Sequence, residues 1–169
     1  MNRRRWLATV GLALAAAAGG YVLQAGLNPP SIVAPDVRFS DLEGKPHQLS
    51  EYRGQLVLIN FWATWCAPCL NEIPMLVDVR NIYAARGFEI LGPAMDRLDA
   101  VRDYRDRLKL AYPVFAGDAE AAAAMDALGD DQGALPYSVL VSPAGEILHR
   151  KRGEFSRDEL VELIESHLI

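Results

Sequence analysis

Short apolar runs alternate along the chain with longer stretches whose apolar positions recur every three or four residues. Val37 to Leu49 reads as a short hairpin turning at Glu43-Gly44-Lys45-Pro46. Gln55 to Phe61 is almost continuously apolar, the pattern of a central strand covered on both faces. A helix is expected from about Cys66 to Arg86, with Gly87 as its C-cap and a kink at Pro74. Phe88 to Met95 is the next strand, and Pro93 is expected to end it early. Asp96 caps a helix that runs through Lys109, with Asp99 reinforcing its start. Tyr112 to Ala116 is a short strand, and Asp118 caps a helix over Ala119 to Leu128. After a loop from Gly129 to Leu135, Tyr137–Val141 and Glu146–Lys151 form a hairpin across Ser142-Pro143-Ala144-Gly145. Ser156 and Glu159 make a capping box for a last helix, whose stripe is Leu160, Ile164 and Leu168. Mixed β/α units closed by a hairpin and a helix predict an α/β fold with a central mixed sheet and helices on both faces.

The first residues follow a different pattern. Met1-Asn2-Arg3-Arg4-Arg5 is a basic leader, and Trp6 to Leu27 contains no charge. That stretch is about long enough to cross a bilayer, and the arginines would hold its start in the cytoplasm. Residues 1–27 are therefore expected to be a membrane anchor. A cleaved signal peptide is the rival reading, with Ala16-Ala17-Ala18 as its cleavage site and Arg3-Arg4 loosely resembling a twin-arginine signal. Either places the rest of the chain outside the cytoplasmic membrane, tethered or free on the periplasmic side. Residues 28–35, opening with Asn28-Pro29-Pro30-Ser31, read as a linker, and residues 36–169 as one domain.

Composition narrows the function. The chain of 169 residues has a formal charge of −5, which becomes −8 once Arg3, Arg4 and Arg5 are set aside. An acidic globule without a basic patch is no nucleic-acid binder. Its only two cysteines, Cys66 and Cys69, stand two residues apart directly after the predicted central strand. A structural disulfide usually closes a longer loop. A zinc site would need two further ligands, and His47, His149 and His167 are scattered. A reversible dithiol at a helix start fits better. Free backbone N–H groups and the helix dipole favour thiolate over thiol on Cys66, and Cys69 lies one turn further on, within reach of its sulfur.

Asn60-Phe61-Trp62-Ala63-Thr64-Trp65-Cys66-Ala67-Pro68-Cys69 resembles the active-site segment of the thioredoxin superfamily. Leu135-Pro136 resembles that family's cis-proline loop, Pro74 its helix proline, and Gly145-Glu146 with Gly153 its closing hairpin and helix. The likeness covers about residues 36–169. Within the superfamily the chain is most similar to TlpA/ResA-like thiol–disulfide oxidoreductases. The exported N-terminus, the hairpin ahead of the first core strand, the inserted β/α segment from about Asp96 to Leu128, and Glu72 three residues after Cys69 all select that branch.

The resemblance implies a thioredoxin-like fold and a protein disulfide oxidoreductase, more often a reductase, with no cofactor and no metal. Cys66 would attack a partner disulfide and Cys69 would resolve the mixed disulfide. Glu72 would exchange a proton with Cys69, a role that cannot fall to Asn60, which stands where thioredoxin has a buried aspartate. Trp65, Ala67, Pro68, Leu135, Pro136 and Tyr137 would border the substrate groove, with Tyr137 departing from thioredoxin's threonine. Expected partners are disulfide-containing proteins, with cytochrome c precursors as one candidate class, and a membrane electron donor. Two alternatives fit the residues less well. A peroxiredoxin-like peroxide reductase wants threonine three positions before its cysteine, whereas Thr64 stands two before Cys66. A copper chaperone on the same fold uses Cys-x-x-x-Cys, one residue longer than the spacing here.

Overall fold

The computed structural model describes residues 31–168, so the expected anchor and the start of the linker lie outside the described residues. Strand β1, Ile32–Val33, falls in the segment expected as linker and pairs antiparallel with a later strand, Ile32 opposite Ile147. The hairpin is β2, Arg38–Ser40, and β3, Pro46–Gln48, followed by a 3-10 turn at Leu49–Tyr52. Then come β4, Leu56–Phe61; α1, Ala67–Tyr83; β5, Phe88–Ala94; α2, Leu98–Leu108; β6, Val114–Ala116; and α3, Asp118–Ala127. Strand β7, Tyr137–Val141, strand β8, Glu146–Arg152, and α4, Arg157–Glu165, complete the fold.

Six strands form one sheet in the order β1-β8-β7-β4-β5-β6. Strands β4, β5 and β6 run parallel, while β7 is antiparallel to both β4 and β8. Period-2 alternation along β4 divides the core. Leu56, Leu58 and Trp62 face α1 and α4, beside Ile73, Leu76, Val79, Leu160 and Ile164. Val57, Ile59 and Phe61 face α3 and the β2–β3 hairpin, beside Phe39, Ala121, Met125 and Leu128. A strand buried on both faces must be apolar throughout, which is why β4 is legible as central. Helix α1 buries Cys69, Glu72, Ile73, Leu76, Val79 and Tyr83, a single stripe at helical spacing.

Four local expectations are corrected. Strand β5 runs through Pro93 to Ala94 instead of stopping short. Proline lacks an N–H, so the β4–β5 ladder breaks between Ile59↔Leu91 and the isolated bridge Trp62↔Ala94, while Pro93 still accepts from Trp62 N–H at 3.2 Å. Asp96 does not cap α2, which starts after Arg97 with no side-chain cap. Asp118 is the first residue of α3, not its cap, which is Gly117. The last helix has half of the expected box: Ser156 Oγ accepts from Glu159 N–H at 3.3 Å, but the Glu159 carboxylate pairs with Lys151 at 2.7 Å.

Gly92 on β5 is required by close approach. A Cβ there would lie 2.9 Å from Tyr112 Cε2 and 3.4 Å from Trp62 Nε1, and both rings are buried. Gly92→Ala is expected to destabilise the domain by about 1–3 kcal/mol through overpacking. Urea titration checks this as a lower midpoint at unchanged slope. An unaltered midpoint would mean that the two rings have room to yield.

Candidate active site

The cysteine pair, Glu72 and the Leu135–Pro136 loop meet at one end of the sheet. The C-terminal ends of β4 and β5, the N-terminal end of β7 and the C-terminal end of β8 all open there. Parallel β4 and β5 deliver the loops that follow them, and antiparallel β7 and β8 deliver the loops at their near ends.

The β4 loop is tied down before it reaches the cysteines. Trp62 is buried, and its Nε1–H donates to Gly92 O at 3.2 Å. Thr64 N–H donates to Asp96 Oδ2 at 3.1 Å, and the Thr64 hydroxyl donates to the same oxygen. Asp96, expected as a helix cap, therefore binds the end of β5 to the loop that carries Trp65 and Cys66. Trp65 itself is 69% exposed.

Cys66 is the N-cap of α1, in extended conformation, and its Sγ accepts from Cys69 N–H at 3.3 Å. Ala67 and Pro68 occupy the first two helical positions and are exposed. Proline fits there because its missing N–H would have had no partner within the helix. Cys66 and Cys69 are joined as a disulfide with Cα atoms 5.3 Å apart. Their exposure is unequal: Cys66 shows 5% of its surface and Cys69 none. Cys66 is thus the member of the pair that keeps some contact with solvent.

Glu72, one turn beyond Cys69, is buried under α1. Its Oε1 accepts from Asn60 Nδ2 at 2.8 Å and its Oε2 from Phe155 N–H at 2.9 Å. Burial pushes the carboxyl pKa up, the two hydrogen bonds pull it down, Glu154 adds to the rise and Lys151 opposes it. The net direction is upward. Asn60 Nδ2 also donates to Ser138 Oγ at 3.0 Å, across the β4–β7 pair Asn60↔Ser138. Two buried polar atoms nearby have no partner, Asn60 Oδ1 and the Tyr112 hydroxyl. Burial pushes the Tyr112 hydroxyl pKa up, with the Glu72 charge adding to it.

The Leu135–Pro136 peptide is cis. The β4–β7 register pairs Phe61 with Tyr137, so one residue further sets Pro136 level with Trp62 at the root of the cysteine loop. Pro136 is buried, its carbonyl accepts from Gly153 N–H at 2.8 Å, and Leu135 is partly exposed. Tyr137 departs from expectation. It is 1% exposed, its hydroxyl donates to Leu128 O at 3.1 Å, and its ring stacks 6.0 Å from Phe61 on the face away from α1. Alternation along β7 requires this: Tyr137, Val139 and Val141 share the α3 face, while Ser138 and Leu140 turn toward α1. Its side chain therefore does not line a groove; it anchors the loop that carries Pro136.

The structure thus brings together Trp65, Cys66, Ala67, Pro68, Cys69, Glu72, Leu135 and Pro136. Asn60, Ser138, the Phe155 N–H and Asp96 join them without having been singled out as site residues. The signal for Asn60 and Ser138 is the strand alternation, which aims both at α1.

Comparison with known proteins agrees with this geometry. The AhpC/TSA family profile matches residues 31–150. The chain is 32% identical over 172 residues to the thiol-disulfide oxidoreductase ResA of Geobacillus thermodenitrificans (strain NG80-2), covering 98% of this chain and 97% of that protein. It is 32% identical over 137 residues to the protein of the same name from Bacillus thuringiensis subsp. konkukian (strain 97-27), covering 78% of this chain and 74% of that one. Among solved structures, a thiol:disulfide interchange protein of the thioredoxin family from Chlorobium tepidum TLS superposes with a TM-score of 0.75. It is 28% identical, over 84% of this chain and 99% of that one.

Proposed function

The chain belongs to the AhpC/TSA family as a ResA-like thiol–disulfide oxidoreductase, and from that premise we propose that it reduces protein disulfides, with Cys66 as nucleophile and Cys69 as resolving thiol. In the reduced enzyme the Cys66 thiolate attacks one sulfur of a partner disulfide. An S–S bond forms between Cys66 and the partner, and the other partner sulfur leaves as thiolate. The Cys69 thiol gives its proton to Glu72, and its thiolate attacks Cys66 Sγ. The second partner sulfur leaves, and the Cys66–Cys69 disulfide closes. Two electrons have passed to the partner.

The observation that carries this reading is the unequal burial of a joined pair at a helix start. Cys66 caps α1 and touches solvent, while Cys69 is shut beneath it on the same helical face as Glu72. An attacking sulfur needs access, and a resolving sulfur needs only the first. Trp65, Ala67 and Pro68 form the exposed rim of the pair, and the Leu135 backbone beside Pro136 offers a strand-like edge to an extended peptide. The Thr64 hydroxyl is committed to Asp96, so it is not free to orient a peroxide over Cys66.

The site of action in this reading is the outer side of the cytoplasmic membrane, with residues 1–27 as anchor or as cleaved signal. Candidate substrates are disulfide-containing proteins there, including cytochrome c precursors. A membrane electron donor returns two electrons to the Cys66–Cys69 disulfide after each turnover. Insulin reduction with dithiothreitol as the source of electrons tests the activity. The expected result is precipitation of the insulin B chain well ahead of dithiothreitol alone. If the oxidised protein instead introduces disulfides into reduced substrates faster than the reduced protein removes them, the direction is reversed.

A further inference from the structure

Both oxygens of Glu72 face donors. Asn60 Nδ2 meets Oε1 and the Phe155 N–H meets Oε2, a setting made for a carboxylate. When Glu72 takes up a proton, one oxygen becomes O–H and needs an acceptor. The Phe155 amide belongs to the backbone and cannot reverse. The Asn60 side chain can, because a half-turn of its amide exchanges Nδ2 for Oδ1.

Two further observations fit such a turn. The other partner of Asn60 Nδ2 is the Ser138 hydroxyl, which donates as readily as it accepts. The opposite end of the amide, Oδ1, is buried with no partner. An amide satisfied at both ends would be locked in place, whereas this one is held at one end only. The charged groups acting on Glu72 are Lys151 from β8 and Glu154 from the following loop, and the Glu72 charge in turn acts on Tyr112 ahead of β6. Cys69 lies on its own helix, and β4 and β7 present only the neutral Asn60 and Ser138.

We propose that Asn60 is a positioning residue whose amide follows the proton on Glu72. While Glu72 is a carboxylate, Asn60 donates through Nδ2. When Glu72 is an acid, the turned amide accepts through Oδ1 from both Glu72 Oε1–H and Ser138 Oγ–H. This deepens the proposed function and rests on Glu72 as the group that receives the Cys69 proton. In that step the Cys69 S–H bond breaks, an O–H bond forms at Glu72 Oε1, and no electron moves. The turned amide then stabilises the acid until the proton leaves to solvent and the amide turns back.

Glu72→Gln mimics the acid. The side-chain amide introduced by that substitution must set its oxygen against the Phe155 N–H, which points its own N–H at Asn60 and forces Asn60 to accept. The experiment is a pH titration of isotope-labelled reduced protein by NMR, following the Asn60 side-chain NH2 and the Glu72 carboxyl carbon. The expected result is one shared midpoint, with the wild-type Asn60 signals at the acid end coinciding with those that Glu72→Gln shows at every pH. Asn60 signals that ignore the Glu72 titration, or that in Glu72→Gln match the carboxylate form, would overturn the proposal. The rate of mixed-disulfide resolution, measured on the same samples, separates the two readings. If Asn60 follows Glu72 but Glu72→Gln resolves at the wild-type rate at all pH, the assignment of Glu72 as proton acceptor fails and the amide turn stands.

Discussion

Cys66→Ser reduces disulfide exchange to background, whereas Cys69→Ser performs the first half of the reaction and stops as a mixed disulfide with its partner. The asymmetry follows from burial. Cys66 is the member of the pair that a partner sulfur can reach, and Cys69 is fully enclosed beneath it. A hydroxyl in place of the Cys66 sulfur offers no thiolate, and Cys69 cannot substitute because nothing from outside touches it. In Cys69→Ser the attack proceeds, but no second sulfur is present to displace the partner. Non-reducing electrophoresis after acid quenching reads this directly. Adducts are expected with Cys69→Ser and none with Cys66→Ser. Adducts with Cys66→Ser alone would reverse the two roles.

Glu72→Gln slows resolution by on the order of 10²-fold and at the same time makes the folded protein more stable at neutral pH. The rate loss is the ordinary worth of a positioned proton acceptor. The stability gain follows from the raised pKa of Glu72, caused first by burial. A carboxyl that binds its proton more tightly when folded contributes stability fully below the ordinary carboxyl range. That contribution is lost as pH rises through the folded-state value. Above that pH the wild type holds a buried charge and the glutamine variant does not. Each tenfold difference in proton affinity corresponds to about 1.4 kcal/mol. Each kcal/mol moves Tm by roughly 2–4 °C for a chain of this size. Thermal unfolding at pH 4 and at pH 8 should show the variant's advantage only at the higher pH. Equal Tm values at both would mean that the Asn60 and Phe155 hydrogen bonds fully offset burial.

The parts of this site legible in the sequence are those that are local. The cysteine pair, Pro68 and Glu72 lie within one stretch; spacing sets Glu72 on one helical face with Cys69, but it takes the family likeness to read it as more than a solvated carboxylate. The central strand is readable because burial on both sides leaves an unbroken apolar run. What surrounds Glu72 comes from far away: Asn60 stands 12 residues before it and Phe155 stands 83 after it. No local pattern marks a backbone N–H at Phe155 as a partner. Asp96 misleads for a related reason. An aspartate at a strand end looks like the cap of the next helix, but its Oδ2 serves Thr64, 32 residues earlier, and its Oδ1 accepts only from the adjacent Arg97 N–H. Tyr137 misleads because its neighbour Pro136 carries the family likeness, and adjacency in sequence is not adjacency in the groove. In a strand, adjacent side chains point to opposite faces. The short strand at Ile32–Val33 carries too little pattern to stand out from the prolines around it.

The central claim is a dithiol that opens and closes without unfolding and gives its electrons to partners. Equilibration in glutathione or dithiothreitol buffers, with the Cys66–Cys69 state read by trapping and mass, tests it most directly. The account predicts one reversible two-electron transition at a midpoint well below the ~−120 mV of the strong oxidant DsbA. A pair that stays joined until the domain unfolds, or a midpoint as high as that oxidant's, would contradict it.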